Sequence, residues 1–309
     1  MTRTRPLTRA GVVIAALIAL AAPLVGGLVP DRTDARPRAV IRADAHSVPR
    51  FTKVATLFLE NHGYSQIIGS SHAPFVNRLA RQGALATRYD AVAHPSLPDY
   101  LAILTGSTGG VTSDCNSCET SAPTLPGQLQ AAHIPWRAYF EGIPRAGYEG
   151  RGAGDYTKHY NPFAYAEQVG DGVGRKHVVG FGALRRDLRS RTLPRFSWIA
   201  PDLLHDGHNA SVRASDRYVS RLIPRIVRAL GPHGVLFLGW DEAQGKVGPR
   251  GGHVALIAIG PGARSHARVS TPADHYSLLA TLEAGLRLPA LGQAASPSTH
   301  LLAGLLTPR

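Results

Sequence analysis

The apolar positions of this chain follow two rhythms. Mostly apolar runs occupy 53–59, 135–140, Phe196–Ala200, 234–239 and 254–259, and each has the length of a strand buried on both faces. Residues 84–92 are expected to add one more strand. Helical spacing appears between the runs. Phe75, Val76 and Leu79 share one face of a helix predicted over 73–82 and ended by Gly83. Helices are also predicted over 97–104 and 124–132. The clearest spans 211–230, where Val212, Val219, Leu222, Ile223, Ile226 and Val227 form a stripe and Pro224 should introduce a kink. A last helix is expected from a Thr271-Pro272 start to about Leu286, with Asp274 in its first turn. Residues 141–175 have little periodicity and read as a long functional loop. Strands alternating with helices predict a single α/β domain: a doubly wound, mostly parallel sheet flanked by helices.

In such sheets ligands bind beyond the carboxyl ends of the strands, and there the polar residues gather. The run at 234–239 leads into Trp240-Asp241-Glu242, and the run at 53–59 ends in Glu60-Asn61. Phe196–Ala200 opens onto Asp202, His205, Asp206 and His208, a dense set for one turn. Ser96 stands between Pro95 and Pro98, ahead of a helix whose start can hold an anion. His253 opens the strand at 254–259, His159 lies in the long loop, and His275 rides on the last helix. Carboxylates and a carboxamide are hard ligands for a divalent cation, and imidazoles suit zinc or another transition metal. A serine beside such a cation can ionise and attack phosphorus in line. An acyl hydrolase fits less well, since no G-x-S-x-G elbow surrounds Ser96.

Length and charge narrow this only a little. A chain of 309 residues, 44% of them hydrophobic, suits one large α/β unit. Its net charge of +13 comes mostly from scattered arginines, without zinc-finger, basic-zipper or RNA-recognition spacing. Nucleic acid is therefore not expected as a partner, whereas phosphate-bearing substrates or anionic surfaces are. Arg3, Arg5 and Arg9 precede the uncharged stretch 11–29, broken by Pro23, Gly26 and Gly27. Residues 1–30 thus read as a signal peptide or, uncleaved, as a membrane segment that would anchor the protein. Residues 31–51 read as a disordered tether, with the catalytic domain over 52–309. Cys115 and Cys118, in a polar loop, are expected to form a small disulfide, in keeping with secretion or a place in the cell envelope.

Taken as a set, Glu60-Asn-His-Gly-Tyr-Ser65, His94-Pro-Ser-Leu-Pro-Asp-Tyr-Leu101, Tyr139-Phe-Glu-Gly142, Lys158-His-Tyr-Asn-Pro-Phe163, Trp198-Ile-Ala-Pro-Asp202, His205-Asp-Gly-His208, Trp240-Asp-Glu242 and His275-Tyr-Ser-Leu-Leu279 resemble the phosphoesterase family. That family joins bacterial acid phosphatases to phospholipases C within the alkaline phosphatase superfamily. The resemblance implies a divalent ion (Zn, Ca, Mg or Mn) held by Glu60, Asn61, Ser96, Asp241 and Glu242, with Ser96 as nucleophile. It also implies that Asp202, His205 or His208, and His253 either bind a second metal or contact the substrate phosphate and leaving group. Asp99, His159 and His275 would contact substrate or support the ligands from behind. Asp99 departs from the family pattern, which has Asn there, and should add negative charge near the phosphate. Without the long C-terminal domains of the large phospholipases C, the resemblance leads us to expect a compact phosphatase or phosphodiesterase. The expected activity is acid-phosphatase-like hydrolysis of phosphate esters through a phosphoseryl intermediate. Phospholipase C action on lipid headgroups is the second expectation, and an inactive cell-surface binding module the third.

Overall fold

The apolar runs assemble into one eight-stranded sheet. In chain order its strands are β1 (Val54–Leu59), β2 (Ala84–Ala86), β3 (Trp136–Phe140), β4 (Val178–Gly180), β5 (Phe196–Ala200), β6 (Val235–Trp240), β7 (Leu256–Ile259) and β8 (Ala267–Val269). They lie in the order β8-β2-β7-β6-β1-β5-β3-β4. The structure is a computed structural model that describes residues 1–2, 41–170, 172, 174–245 and 250–308. Strands β6, β1, β5, β3 and β4 form a parallel block. Strand β7 runs against both its neighbours, β6 and β2. Every residue of β1, β5, β6 and β7 is buried, as expected where helices cover both faces of a sheet.

The helices are α1 (Pro74–Gln82), α2 (Ser96–Thr105), α3 (Leu125–Ala131), α4 (Phe181–Ser190), α5 (Val212–Leu230) and α6 (His275–Leu286). Helix α5 packs against α1 and α4, while α2 packs against α6 and α3. The predicted helix at 211–230 is present and continues through Pro224. Beneath the carboxyl edge of the sheet, Phe58 stacks on Trp198 at 5.4 Å and meets the Tyr100 ring edge-on at 5.9 Å. This aromatic wedge joins the sheet to α2.

Four local expectations are corrected. The strand predicted at 84–92 is broken: β2 stays in the main sheet, while Tyr89–Asp90 pairs with Ala273–Asp274 in a separate two-stranded ladder. That pairing also moves the start of the last helix, whose cap is Asp274, accepting from Ser277 N at 3.0 Å, and not Thr271. The loop at 141–175 contains the hairpin Gly152–Ala153/Tyr156–Thr157 and single turns at Lys158–Tyr160 and Pro162–Tyr165. Finally, the described part of the expected tether is docked. Val48 and Phe51 are buried, Arg42 donates to the carbonyls of Ala294 and Ser296 at 2.8 and 2.9 Å, and Phe51 N donates to Gly285 O at 2.8 Å. Two apolar side chains and a ring of backbone bonds outweigh the polar composition that suggested disorder. The described residues from 41 to 308 belong to one compact unit. Apart from Met1 and Thr2, the predicted signal or membrane segment, together with 31–40 of the tether, lies outside the described residues. Among the described residues no helix is long and apolar enough to cross a membrane.

Candidate active site

Four neighbouring strands, β6, β1, β5 and β3, end at the same edge of the sheet, and each delivers an acid just past its last residue. Leu59 pairs with Trp240, so Glu60 and Asp241 leave their strands side by side. Asn61 then turns into the left-handed region at φ 56°, and its N–H donates to Asp241 Oδ1 at 3.0 Å. Ser96 is the first residue of α2, and its Oγ lies 3.1 Å from both Glu60 Oε2 and Glu242 Oε1. The Tyr100 hydroxyl, one turn along α2, donates to Glu60 Oε1. His94 Nδ1 meets Glu242 Oε2. The five residues expected around one cation are thus brought together, with Glu60, Asp241, Glu242 and Ser96 almost wholly buried.

Glu60, Asp241 and Glu242 are three buried carboxyl groups beside Ser96, and burial disfavours their charges. Burial raises Glu60 well above the usual carboxylate range, and the charges of Asp241 and Asp206 push the same way. Burial also raises Asp241, against the hydrogen bonds from Glu60, Asn61 and Ser96 that favour its anion. Glu242 is pushed up to about 8 by burial and by Asp241. Meanwhile Asp241 Oδ2, Asn61 Oδ1 and Asp206 Oδ2 are buried without a hydrogen-bond partner. Oxygen atoms of this kind, left over beside surplus negative charge, are a donor set that fits a hard divalent cation.

Behind the acids stands a neutral histidine. His275 is fully buried, which lowers its pKa to about 4. Its Nε2 lies 2.6 Å from the Asp241 carbonyl oxygen and its Nδ1 2.7 Å from the Tyr89 hydroxyl. Nε2–H therefore donates to the carbonyl, and Nδ1 accepts from the tyrosine. His275 fixes the backbone of Asp241 and, being buried, does not reach substrate. Asp99 likewise stands behind the site. It accepts from Val92 N and Ala93 N at 2.8 and 3.0 Å and so holds the segment leading to Ser96. Burial pushes its pKa well up, against the two backbone hydrogen bonds that favour its anion.

The remaining residues sort themselves along the edge. Glu141, Asp202 and His205 bring ligand atoms within 4.8 Å of one another. His205 Nδ1 lies 2.9 Å from Asp202 Oδ1 and 3.0 Å from Glu141 Oε2, and its ring stacks on Tyr218 at 4.0 Å. The expected partners His208 and His253 are not part of this group. The His253 ring lies on Tyr64 at 4.2 Å. His208 is exposed, 6.2 Å from the Tyr160 ring. His159 faces Asp114 at 3.9 Å, and Asp114 in turn accepts from Leu97 N at 3.0 Å beside the serine. Cys115 and Cys118 are bonded to each other, and their loop packs on Leu97, Leu101 and Tyr165, bracing the start of α2. Glu141, Tyr100, His94 and Asp114 were not expected as site residues from the sequence. Glu141 carried a usable signal, since it follows strand β3 as Glu60 follows β1.

This sheet order and edge define a class. A protein of the alkaline phosphatase superfamily from Vibrio parahaemolyticus superposes with a TM-score of 0.57 over 81% of this chain and 71% of its own, at 14% identity, a likeness of fold alone. The sequence pattern of the Phosphoesterase family matches residues 58–289, and the chain belongs to that family. It is a phosphoric ester hydrolase. Phosphatidylinositol-3-phosphatase of Mycobacterium tuberculosis is 30% identical over 96% of both chains. The phosphate-repressible acid phosphatase of Penicillium chrysogenum is 27% identical over 79% of this chain, which spans 61% of the fungal protein's length.

Proposed function

We propose that the protein is an exported, divalent-metal-dependent phosphomonoesterase that works through a phosphoserine at Ser96. The observation that carries this reading is the Ser96 hydroxyl, buried at a helix start and 3.1 Å from each of two carboxyl groups. A cation held by Glu60, Asn61, Ser96, Asp241 and Glu242 would supply a lowered hydroxyl pKa and charge neutralisation on the phosphoryl oxygens. Glu60 and Glu242 align Oγ, and Glu242 accepts its proton. Oγ then forms a bond to phosphorus while the bond to the leaving oxygen breaks. His208, which is exposed, gives a proton to the leaving oxygen, and His205 and His159 contact the phosphate group. In the second step water attacks the phosphoserine and gives a proton to His208, the bond from phosphorus to Oγ breaks, and Oγ takes back the proton held by Glu242. The names of the two relatives both denote phosphate removal, which supports a monoester over the headgroup cleavage of a phospholipase C. Export rests on the basic-then-apolar pattern of residues 1–30 and on the disulfide.

The test is hydrolysis of an aryl phosphate by the metal-loaded protein and by its Ser96→Ala variant, with mass spectrometry of acid-quenched turnover. The wild type should carry one phosphoryl group on Ser96, and the variant should lose activity while melting as a folded domain. Full turnover by the variant would overturn the assignment. Release of phosphorylated headgroups from phosphatidylcholine, without hydrolysis of the aryl monoester, would move the reading to phospholipase C.

A further inference from the structure

Helices α4 and α5 enclose a groove of about 680 Å³ that begins at Glu141 and Tyr218, on the sheet edge that carries the site. Its walls are arginine. Arg185 and Arg189 stand one turn apart on α4, and Arg191 follows at that helix's end. Arg221, Arg225 and Arg228 recur at four and three residues along α5, so that they share one face. All six are exposed, and among the described residues none of them is in a salt bridge. The two helices contain only two acids, and both are turned to other work. Asp187 Oδ2 accepts from Arg137 and Tyr139 at 2.6 and 2.7 Å. Asp216 accepts from Phe75 N and Val76 N at 3.1 and 2.8 Å. Glu141, at the groove's end, already accepts from Tyr218 at 2.8 Å. The positive charge of the groove is therefore unbalanced locally, and it sits above half-buried Leu188 and Leu222.

We propose that this groove docks the protein onto the surface of an anionic phospholipid bilayer. Guanidinium forks match phosphate oxygens, and arginine stems lie against apolar surface while their heads stay in the polar layer. The leucine floor favours a bilayer over nucleic acid, for which the groove has no free aromatic face to stack a base: Phe181 is buried and the Tyr218 ring is covered by His205. Docking here would hold the sheet edge with Ser96 near phosphate esters on the same membrane. Membrane binding is read without turnover, so it stands or falls apart from the proposed chemistry.

The experiment is sedimentation of the full chain with vesicles of phosphatidylcholine alone or mixed with phosphatidylglycerol, at low and high salt. Expected is binding that requires phosphatidylglycerol and falls with salt. Each arginine near a charged surface contributes about fivefold in binding, so the Arg221→Gln/Arg225→Gln/Arg228→Gln variant should bind about a hundredfold more weakly. Its hydrolysis of a soluble aryl phosphate should be unchanged. Arg185→Gln/Arg189→Gln, on the opposite wall, should weaken binding independently and so guards against a misfolded triple variant. Equal binding to both vesicle types, or undiminished binding by both variants, would overturn the proposal. So would retention on duplex DNA with none on phosphatidylglycerol vesicles, which would assign the groove to a different polyanion.

Discussion

Replacing Asp241 with Asn should change stability in opposite directions with and without metal. In the metal-free protein Asp241 abuts Glu60, both are buried, and burial disfavours both charges. Asn keeps the shape and can still accept from Asn61 N through its carbonyl oxygen, and it removes a charge that burial disfavours. The chelated variant should therefore melt at or above the chelated wild type. With metal the sign reverses. A cation present at about 1,000 times its Kd stabilises the fold by about 4 kcal/mol, which for a domain of this size raises Tm by roughly 10 °C. Removing one partner of a buried charge pair costs about 3–5 kcal/mol. A loss of about 4 kcal/mol brings the same metal concentration down to about the variant's Kd, leaving a shift of roughly 1 °C. Differential scanning fluorimetry in chelator and in a divalent-ion series reads both arms. An unchanged metal-induced shift in the variant, or a chelated variant far less stable than wild type, would show that Asp241 is an ordinary structural acid.

Three further outcomes follow from neighbouring residues. Tyr100→Phe removes the donor to Glu60 Oε1, and loss of such an outer partner should weaken metal binding about 10- to 100-fold; an unchanged metal titration would refute the role. Glu283 is buried with Oε1 accepting from Leu291 N at 3.0 Å and Oε2 unpartnered. Burial raises its pKa well above 4.5, so the stability its neutral form contributes is full below the unfolded value and drains as pH rises toward the folded one. Across that window Glu283→Gln should gain on wild type by about 1.4 kcal/mol per pH unit in urea unfolding, and a gap that does not grow with pH would refute this. Gly285→Ala should destabilise by about 1–3 kcal/mol through overpacking, although alanine is the better helix former. A Cβ there would stand 2.2 Å from Phe51 Cε2. If 41–51 were a loose tether the same change would raise Tm, so the sign of the shift decides between the two.

The fold was legible because its central strands are buried on both faces, and burial leaves a mostly apolar run that needs no partner to be recognised. Edge strands β4 and β8 left no such run and were missed, since they carry only three residues each, partly exposed. The direction of β7 was also hidden, because composition does not record which way a buried strand points. In the site, residues that immediately follow strands were readable: one rule, acids at carboxyl ends, found Glu60, Asp241, Glu242 and Asp202. Applied equally to the run at 135–140 it would have found Glu141 as well. What the sequence could not yield was pairing. His275 and Asp99 were expected either to touch substrate or to support the ligands from behind, and only the fold shows that they face backbone atoms of Asp241 and of residues 92 and 93. Their partners lie 34, 7 and 6 positions away and belong to main chain, which has the same chemistry at every residue. Side chains that act on metal or substrate are thus announced by their type, whereas side chains that hold the backbone in place become visible only once the chain is folded.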